Sequence, residues 1–164
     1  MKFSNDTVHT YFDSPIGRLI LAATSNRLVG VWFADQAYLP DLSTWALNAD
    51  NSVLQQAQTQ LTDYFAGRRS HFDLPLDFSC GTDFQQQVWR ALLEIPCGAT
   101  CSYGDLSVSI GKPSAVRAVG GAIGRNPLGI IVPCHRVIGA NGALTGYTGG
   151  LERKTALLKL EGVL

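Results

Sequence analysis

The amino-acid sequence changes character at Gly81, and this change constrains the fold more than any other feature. Of the 17 glycines, three lie in residues 1–80 and fourteen in residues 81–164. The formal charge is zero overall, but it is −3 in the first segment (five Lys and Arg, eight Asp and Glu) and +3 in the second (eight and five). A chain of 164 residues suits one domain or two small packed lobes. We therefore expect an N-terminal lobe at 1–80 and a C-terminal lobe at 81–164, and the second is the better candidate to meet an anion.

The composition excludes several classes of protein. Hydrophobic residues make up 46% of the chain and charged residues 16%, which supports a packed core and argues against a disordered or coiled-coil protein. No apolar run approaches the roughly 20 residues that a membrane span needs, and residues 1–6 lack the apolar core of a signal peptide. We expect a cytoplasmic protein with neither membrane contact nor disulfides. The four cysteines (Cys80, Cys97, Cys101 and Cys134) complete no zinc-site pattern, and we predict no metal and no cofactor.

Residues 1–80 have the pattern of a small α/β lobe. Apolar runs at residues 8–12, 19–23 and 28–33 are separated by short turn sequences, which predicts a hairpin within an antiparallel sheet. Between residues 52 and 66, apolar side chains recur at helical spacing, and Gly67 follows as a helix end. Residues 74–78 resemble a strand or an extended link. No residue pattern in this lobe points to chemistry.

The C-terminal lobe begins with a helix and then shows a pattern typical of a helix–turn–helix. Thr82 and Gln85 fit a capping box, and Pro96 would end the helix that they begin. Two shorter helices are predicted at residues 102–110 and from about residue 113 to 124, joined through a Gly-Lys-Pro turn.

The second of these helices carries very little side-chain bulk. Val116, Val119 and Ile123 are spaced to face the core, so Arg117 should point to solvent or to a partner. Small residues fill most of the other positions, although glycine costs helix stability. Their density indicates close approach of another surface, which could be nucleic acid or simply a neighbouring helix.

The segment around Cys134 is the strongest candidate for chemistry. Residues 128–132 are predicted to be a buried strand, which runs directly into Pro133-Cys134-His135-Arg136. A thiol is a nucleophile only as the thiolate, and this needs a nearby base or positive charge. Adjacent side chains on a strand point in opposite directions, so His135 would act through a water or through the turn. The alternative is a buried structural cysteine beside a surface histidine.

A glycine-rich loop at residues 145–150 follows, and it has no lysine placed as in a P-loop, which argues against binding of a nucleoside triphosphate. Tyr147 on this loop could stack on a flat ligand or could be a core residue. A final helix is predicted at residues 151–160, with its leucines available for packing. Glu161 at its C-terminal end could serve a histidine or could be solvated.

Several motifs in the same order resemble those of the O6-alkylguanine-DNA alkyltransferases. The active-site signature of that family is similar to residues 131–137, which read Ile-Val-Pro-Cys-His-Arg-Val. The other similar segments are residues 84–89 (FQQQVW), 103–104 (YG), 117–121 (RAVGG), 126–127 (NP) and 147–151 (YTGGL). The resemblance covers residues 81–162 almost continuously. The hairpin and residues 64–67 are similar to the bacterial members, but less specifically.

The resemblance implies an α/β fold, in which a ribonuclease H-like N-terminal lobe precedes a mainly helical lobe with the helix–turn–helix. It implies direct DNA repair: Cys134 takes the alkyl group from O6-alkylguanine or O4-alkylthymine in duplex DNA, once per molecule. Glu161 would orient His135, which would deprotonate Cys134 through a water. Asn126 would brace the active-site turn, and Tyr103 would assist the departure of the base.

The same resemblance implies how the lesion reaches the thiol. A monomer would bind the minor groove, and Arg117 would enter the stack where the damaged nucleotide is flipped out. The residues implied to contact DNA are Arg117, Tyr103, Ala118, Gly120, Gly121, Arg125 and Arg136. The flipped base would meet Tyr147, Thr148 and the backbone of Val137.

Two other functions are compatible with parts of the sequence. Alkyltransferase-like proteins bind the lesion and recruit other repair factors, but they lack the cysteine that is present here as Cys134. A cysteine hydrolase that uses Cys134 and His135 would leave the helix–turn–helix and Arg117 without a role.

Overall fold

The computed structural model describes residues 1–164, and its N-terminal part is a four-stranded sheet covered by a helix. The three long strands are β1 (Val8–Ser14), β2 (Gly17–Thr24) and β3 (Arg27–Phe33), which pair antiparallel as predicted. The two-residue strand β4 (Ala46–Leu47) pairs parallel to β1, so the order is β3-β2-β1-β4. Helix α1 (Ser52–Phe65) begins at Asn51, whose side chain accepts two backbone N–H groups, and ends just before Gly67, which has φ +76°.

The C-terminal part is mainly helical, as predicted. Helix α2 (Asp83–Leu92) begins with the expected Thr82–Gln85 capping box. The remaining elements are β5 (Cys101–Ser102), α3 (Tyr103–Ser109), α4 (Val116–Gly124), β6 (Val137–Ile138), which pairs parallel to β5, and α5 (Leu151–Leu160). Helices α3 and α4 form the helix–turn–helix, and α2 packs against both. Trp89 is fully buried and donates from Nε1 to the carbonyl of Ala122 at 2.8 Å, which fixes α2 on α4.

The prediction of a strand at residues 128–132 is wrong, because this segment is a buried turn. Two of its backbone N–H groups bond inside the turn, from Ile131 to the carbonyl of Gly129 and from Val132 to that of Leu128. Only Leu128 forms a bridge to a strand, with Val31 of β3. Ile130 has φ +70°, a conformation that no regular strand contains. A run of buried apolar residues is compatible with either structure, and periodicity alone cannot separate them.

Three apolar residues predicted to pack are partly exposed, because they lie at helix ends. Val116 is the first residue of α4 and is 40% exposed, whereas Val119 and Ile123 of the same helix are buried. Leu151 and Leu160 are the first and last residues of α5, and they are 48% and 38% exposed. The segment at residues 74–78 is an extended link with one bridge, between Leu28 and Leu76.

One hydrophobic core joins the two parts of the chain. It contains side chains of the sheet and α1, such as Leu28 and Leu54, together with Trp89, Val132 and Leu157 from the C-terminal part. The turn that precedes Cys134 is therefore packed against the N-terminal sheet. None of the helices has both the length and the apolar character that crossing a membrane requires.

Candidate active site

The thiol of Cys134 lies at the wall of a cavity between α4 and the loop at residues 145–150. The cavity has a volume of about 280 Å³. The residues that line it are Tyr103, Gly120, Ile123, Gly124, Cys134, Gly146, Tyr147 and Thr148. Three larger cavities lie elsewhere, but none of them is lined by Cys134.

A short 3₁₀ turn (Cys134–Arg136) presents the thiol, and Asn126 holds the chain that leads into it. The Asn126 side chain donates to the carbonyl of Val132 at 2.9 Å and accepts from the N–H of Leu128 at 3.0 Å, so it spans the buried turn. Burial raises the pKa of Cys134, while the Asn126 amide and the charge of Lys154 act in the opposite direction. Without a base, the thiol is therefore protonated at neutral pH.

Close to the turn that carries the thiol, the carboxylate of Glu161 accepts hydrogen bonds from three side chains. His135 Nε2 lies 2.8 Å from Oε2, and Tyr64 of α1 donates its hydroxyl to the same oxygen at 2.8 Å. Arg136 donates from Nε to Oε1 at 2.7 Å and from Nη2 to Oε2 at 3.1 Å. Burial by itself would raise the pKa of Glu161, but the hydrogen bonds from His135 and Arg136 lower it to about 2. Glu161 is thus an anion at neutral pH.

His135 is neutral in this arrangement. Its side chain is fully buried, and burial lowers its pKa despite the opposing effect of Glu161. A carboxylate can only accept, so Nε2 carries the proton that points at Glu161. Nδ1 then has a free lone pair, and no protein group donates to it. This tautomer is the one that a general base needs.

Two functional side chains were not found from the sequence. Lys154 is fully buried and donates to the carbonyls of Val137 at 2.6 Å and Thr145 at 2.9 Å, with no carboxylate partner. Burial lowers its pKa, and the charge of Cys134 acts against this. A lysine in the middle of a leucine-rich helix was the available signal. Tyr64 belongs to the segment 64–67 that resembles the bacterial members, but its bond to Glu161 joins residues 97 positions apart and has no local signal.

The mouth of the cavity is formed by side chains that are tied to backbone. The hydroxyl of Tyr103 donates to the carbonyl of Thr145 at 3.0 Å, and Thr148 donates to that of Gly124 at 2.8 Å. Tyr147 is half-buried on the same wall, where burial raises its pKa, so its hydroxyl stays neutral. The glycine-rich loop is thereby fixed to α3 and to the end of α4.

The outer face of α4 has the exposure expected from the sequence. Arg117, Ala118 and Gly121 are exposed, and a Cβ added at Gly121 would meet no atom within 4 Å. Gly120 is half-buried and reaches the cavity wall. Arg125, just beyond α4, is exposed and its guanidinium lies 3.9 Å from the ring centroid of Tyr38.

Two sequence-predicted site residues are placed elsewhere. Arg136 was expected to contact DNA, but it is buried, and its guanidinium is occupied by Glu161 and by the carbonyl of Ile95 at 2.6 Å. The structure therefore places Arg136 in an interior ion pair and not on the exposed face of α4. Val137 was expected to meet the base, but it does not line the cavity, and its carbonyl accepts from Lys154.

The chain matches two family models along almost its whole length. Residues 7–78 match the ribonuclease-like domain of 6-O-methylguanine DNA methyltransferase, and residues 83–163 match the DNA binding domain of the same family.

Curated relatives and solved structures agree with these matches. The methylated-DNA--protein-cysteine methyltransferase of Mycobacterium leprae is 53% identical over 149 residues, which are 91% of this chain and 88% of that protein. The Methanosarcina acetivorans protein of the same name is 49% identical and covers 94% of this chain and 97% of its own. The crystal structure of Mycobacterium tuberculosis OGT in complex with DNA has a TM-score of 0.86 and 51% identity, and the match covers 93% of this chain and 91% of that one.

Proposed function

Because the chain belongs to the 6-O-methylguanine DNA methyltransferase family, we propose that it transfers the alkyl group of O6-alkylguanine in duplex DNA to Cys134. The protein is an enzyme of direct DNA repair by alkyl transfer, and DNA is its partner. One observation carries the assignment to Cys134: its thiol lines a cavity of about 280 Å³, and the neighbouring His135 is a neutral base on a buried carboxylate.

In the proposed reaction, the thiol proton of Cys134 passes through a water to Nδ1 of His135. The thiolate sulfur attacks the alkyl carbon, so an S–C bond forms while the C–O6 bond breaks and its electron pair leaves with guanine. A hydrogen bond or proton from Tyr103 stabilises the departing guanine, which makes it a better leaving group. The Glu161 anion stabilises the imidazolium that forms at His135. The thioether product is not readily hydrolysed, so each molecule reacts once.

We place the DNA on the exposed face of α4, in the minor groove. Small residues such as Ala118 and Gly121 let the helix backbone come close to the duplex. Arg117 fills the space of the nucleotide that is flipped into the cavity, a step that costs a few kcal/mol and less for a weakly paired lesion. Arg125 supplies a phosphate contact. One copy of the chain carries all of these residues, so we propose a monomer.

The test is intact-mass spectrometry after incubation with a duplex oligonucleotide that contains one O6-methylguanine. We expect a gain of one methylene per protein, mapped to Cys134, with no further gain at excess DNA. Cys134→Ala should abolish the gain, whereas Cys80→Ala, which changes a thiol distant from the cavity, should keep it.

Binding of the lesion without any mass gain would make the protein a lesion sensor that recruits other factors. A mass gain on another cysteine would overturn the assignment of Cys134.

A further inference from the structure

Arg153 lies outside the cavity of Cys134 but connects it to the N-terminal sheet. It is the third residue of α5, and its side chain is 21% exposed. Nε donates to the carbonyl of Ile16 at 2.8 Å, between β1 and β2. Nη1 and Nη2 bind the two carboxylate oxygens of Asp35 at 2.7 and 3.1 Å, just beyond β3. The guanidinium also packs 4.2 Å from the ring centroid of Phe33.

The same guanidinium reaches back to the loop that lines the cavity. Nη1 donates to the carbonyl of Gly149 at 3.2 Å, directly after Tyr147 and Thr148. Gly149 has no free space around it, because a Cβ there would lie 2.7 Å from Tyr147 and 2.8 Å from Phe33. The backbone of the loop at Gly149 therefore lies tightly between the Tyr147 ring and Phe33 of β3. Arg153 holds the backbone in that position.

The energetics separate the roles of Arg153 and Asp35. The Asp35 carboxylate is 70% exposed, so its ion pair is screened by solvent and contributes little stability by itself. Its effect is to orient the planar guanidinium through a two-point bond, which leaves Nε and Nη1 aimed at the two carbonyls. Lysine has the charge of arginine but cannot form this two-point bond with a carboxylate.

We propose that Arg153 is a positioning residue that sets the place of Tyr147 and Thr148, so that the N-terminal sheet determines how well the cavity accepts the flipped base. This inference rests on the proposed function, since it takes Tyr147 and Thr148 as the residues that meet the base. Asp35 and Arg153 would then contribute to the affinity for the substrate, although neither residue lines that cavity.

The test measures single-turnover alkyl transfer from a free base, O6-benzylguanine, which needs no contact between α4 and DNA. For Arg153→Lys we expect the half-saturating concentration to rise about tenfold, since small displacements of positioning groups are costly. The limiting rate and its pH profile should stay within about twofold, because His135 and Glu161 keep their contacts. Asp35→Asn should give a smaller rise of the same kind. The double variant should be no worse than Arg153→Lys, because both changes act on one contact.

The control is an exposed arginine–aspartate pair that lies within the N-terminal sheet. Arg18 binds Asp13 at 3.0 Å without touching the loop, so Arg18→Lys and Asp13→Asn should leave the half-saturating concentration unchanged. Asp35→Asn changes an exposed residue, so it tests the proposal even where Arg153→Lys unfolds. Unchanged half-saturation in Asp35→Asn and in a folded Arg153→Lys, or a loss confined to the limiting rate, would overturn the role of Arg153. If the wild type transfers nothing from base or duplex, the proposed function itself is wrong.

Discussion

Two buried cations lie near Cys134, and they are held in different ways. Arg136 forms an ion pair with Glu161 at 2.7 Å, whereas Lys154 donates only to backbone carbonyls. Burying an ammonium without a carboxylate is costly unless an anion forms beside it. The charge of Lys154 opposes the rise in the pKa of Cys134, so we expect this lysine to stabilise the thiolate.

Replacing Lys154 by methionine should therefore keep the shape of the core but remove that stabilisation. We expect the pKa of Cys134 to rise further and alkyl transfer at pH 7 to slow by about tenfold. The rate measured from pH 6 to 10 should show its rising limb displaced to higher pH. Lys159→Met, an exposed change on the same helix, serves as the control. A pH profile that matches the wild type would mean that Lys154 has only a packing role.

Helices and their caps follow from short sequence signals, and these predictions were confirmed. Thr82 with Gln85 and the glycine after α1 are local signals, because both act within a few residues. The turn at residues 128–132 was missed, since its bonds depend on Asn126 and on β3 rather than on its own pattern. Tyr64 and Arg153 were missed for a similar reason, because their partners are distant in the chain. The sequence shows that Cys134 and His135 are adjacent, but the tautomer of His135 follows only from the position of Glu161 in the structure.

Gly121 should lower the stability of helix α4 but let the helix come close to DNA. Gly121→Ala adds a methyl group where no atom lies within 4 Å, so the free energy of unfolding should rise by about 0.5–1 kcal/mol. The same methyl group lies on the proposed DNA face, and we expect weaker binding of duplex DNA. Thermal unfolding and fluorescence anisotropy with a labelled duplex measure the two effects. Greater stability with unchanged DNA affinity would show that the duplex does not bind this face.

Arg117 on the same helix should matter for duplex DNA but not for the chemistry. Because it is exposed and does not line the cavity, Arg117→Ala should slow repair of O6-methylguanine in a duplex far more than transfer from the free base. Single-turnover rates with both substrates give the ratio, and Arg27→Ala provides an exposed arginine on the N-terminal part as control. Equal losses on both substrates would contradict a role of Arg117 in base flipping.

For the whole molecule, the buried network makes stability depend on pH. The pKa of His135 is lowered in the folded state, so below about pH 6.5 the unfolded chain binds a proton that the native protein does not. Glu161 has a folded pKa of about 2 against an ordinary value of 4.5, so its contribution is present above pH 4.5 and is lost as the pH falls towards 2. Both signs agree, because each group binds fewer protons when folded.

We therefore expect the free energy of unfolding to fall from pH 7 to 5 through His135 and to fall further below pH 4.5 through Glu161. Urea denaturation at a series of pH values measures this directly. His135→Gln should flatten the first part of the curve but keep part of the second, because Arg136 still lowers the pKa of Glu161. A wild-type stability that is constant between pH 7 and 5 would show that folding leaves the pKa of His135 unchanged, and a stability that rises towards pH 5 would show that the native protein already holds the proton.

The bond between Tyr64 and Glu161 also restricts how the protein can evolve. The carboxylate that binds His135 belongs to residue 161, yet one of its donors comes from a helix in the first half of the chain. Recombination between two related genes near codon 80 would separate a tyrosine and a glutamate that are hydrogen-bonded in the folded protein. Chimeras that join halves of diverged relatives should therefore lose activity unless position 64 is restored as tyrosine, and surviving lineages should change these two positions as a pair.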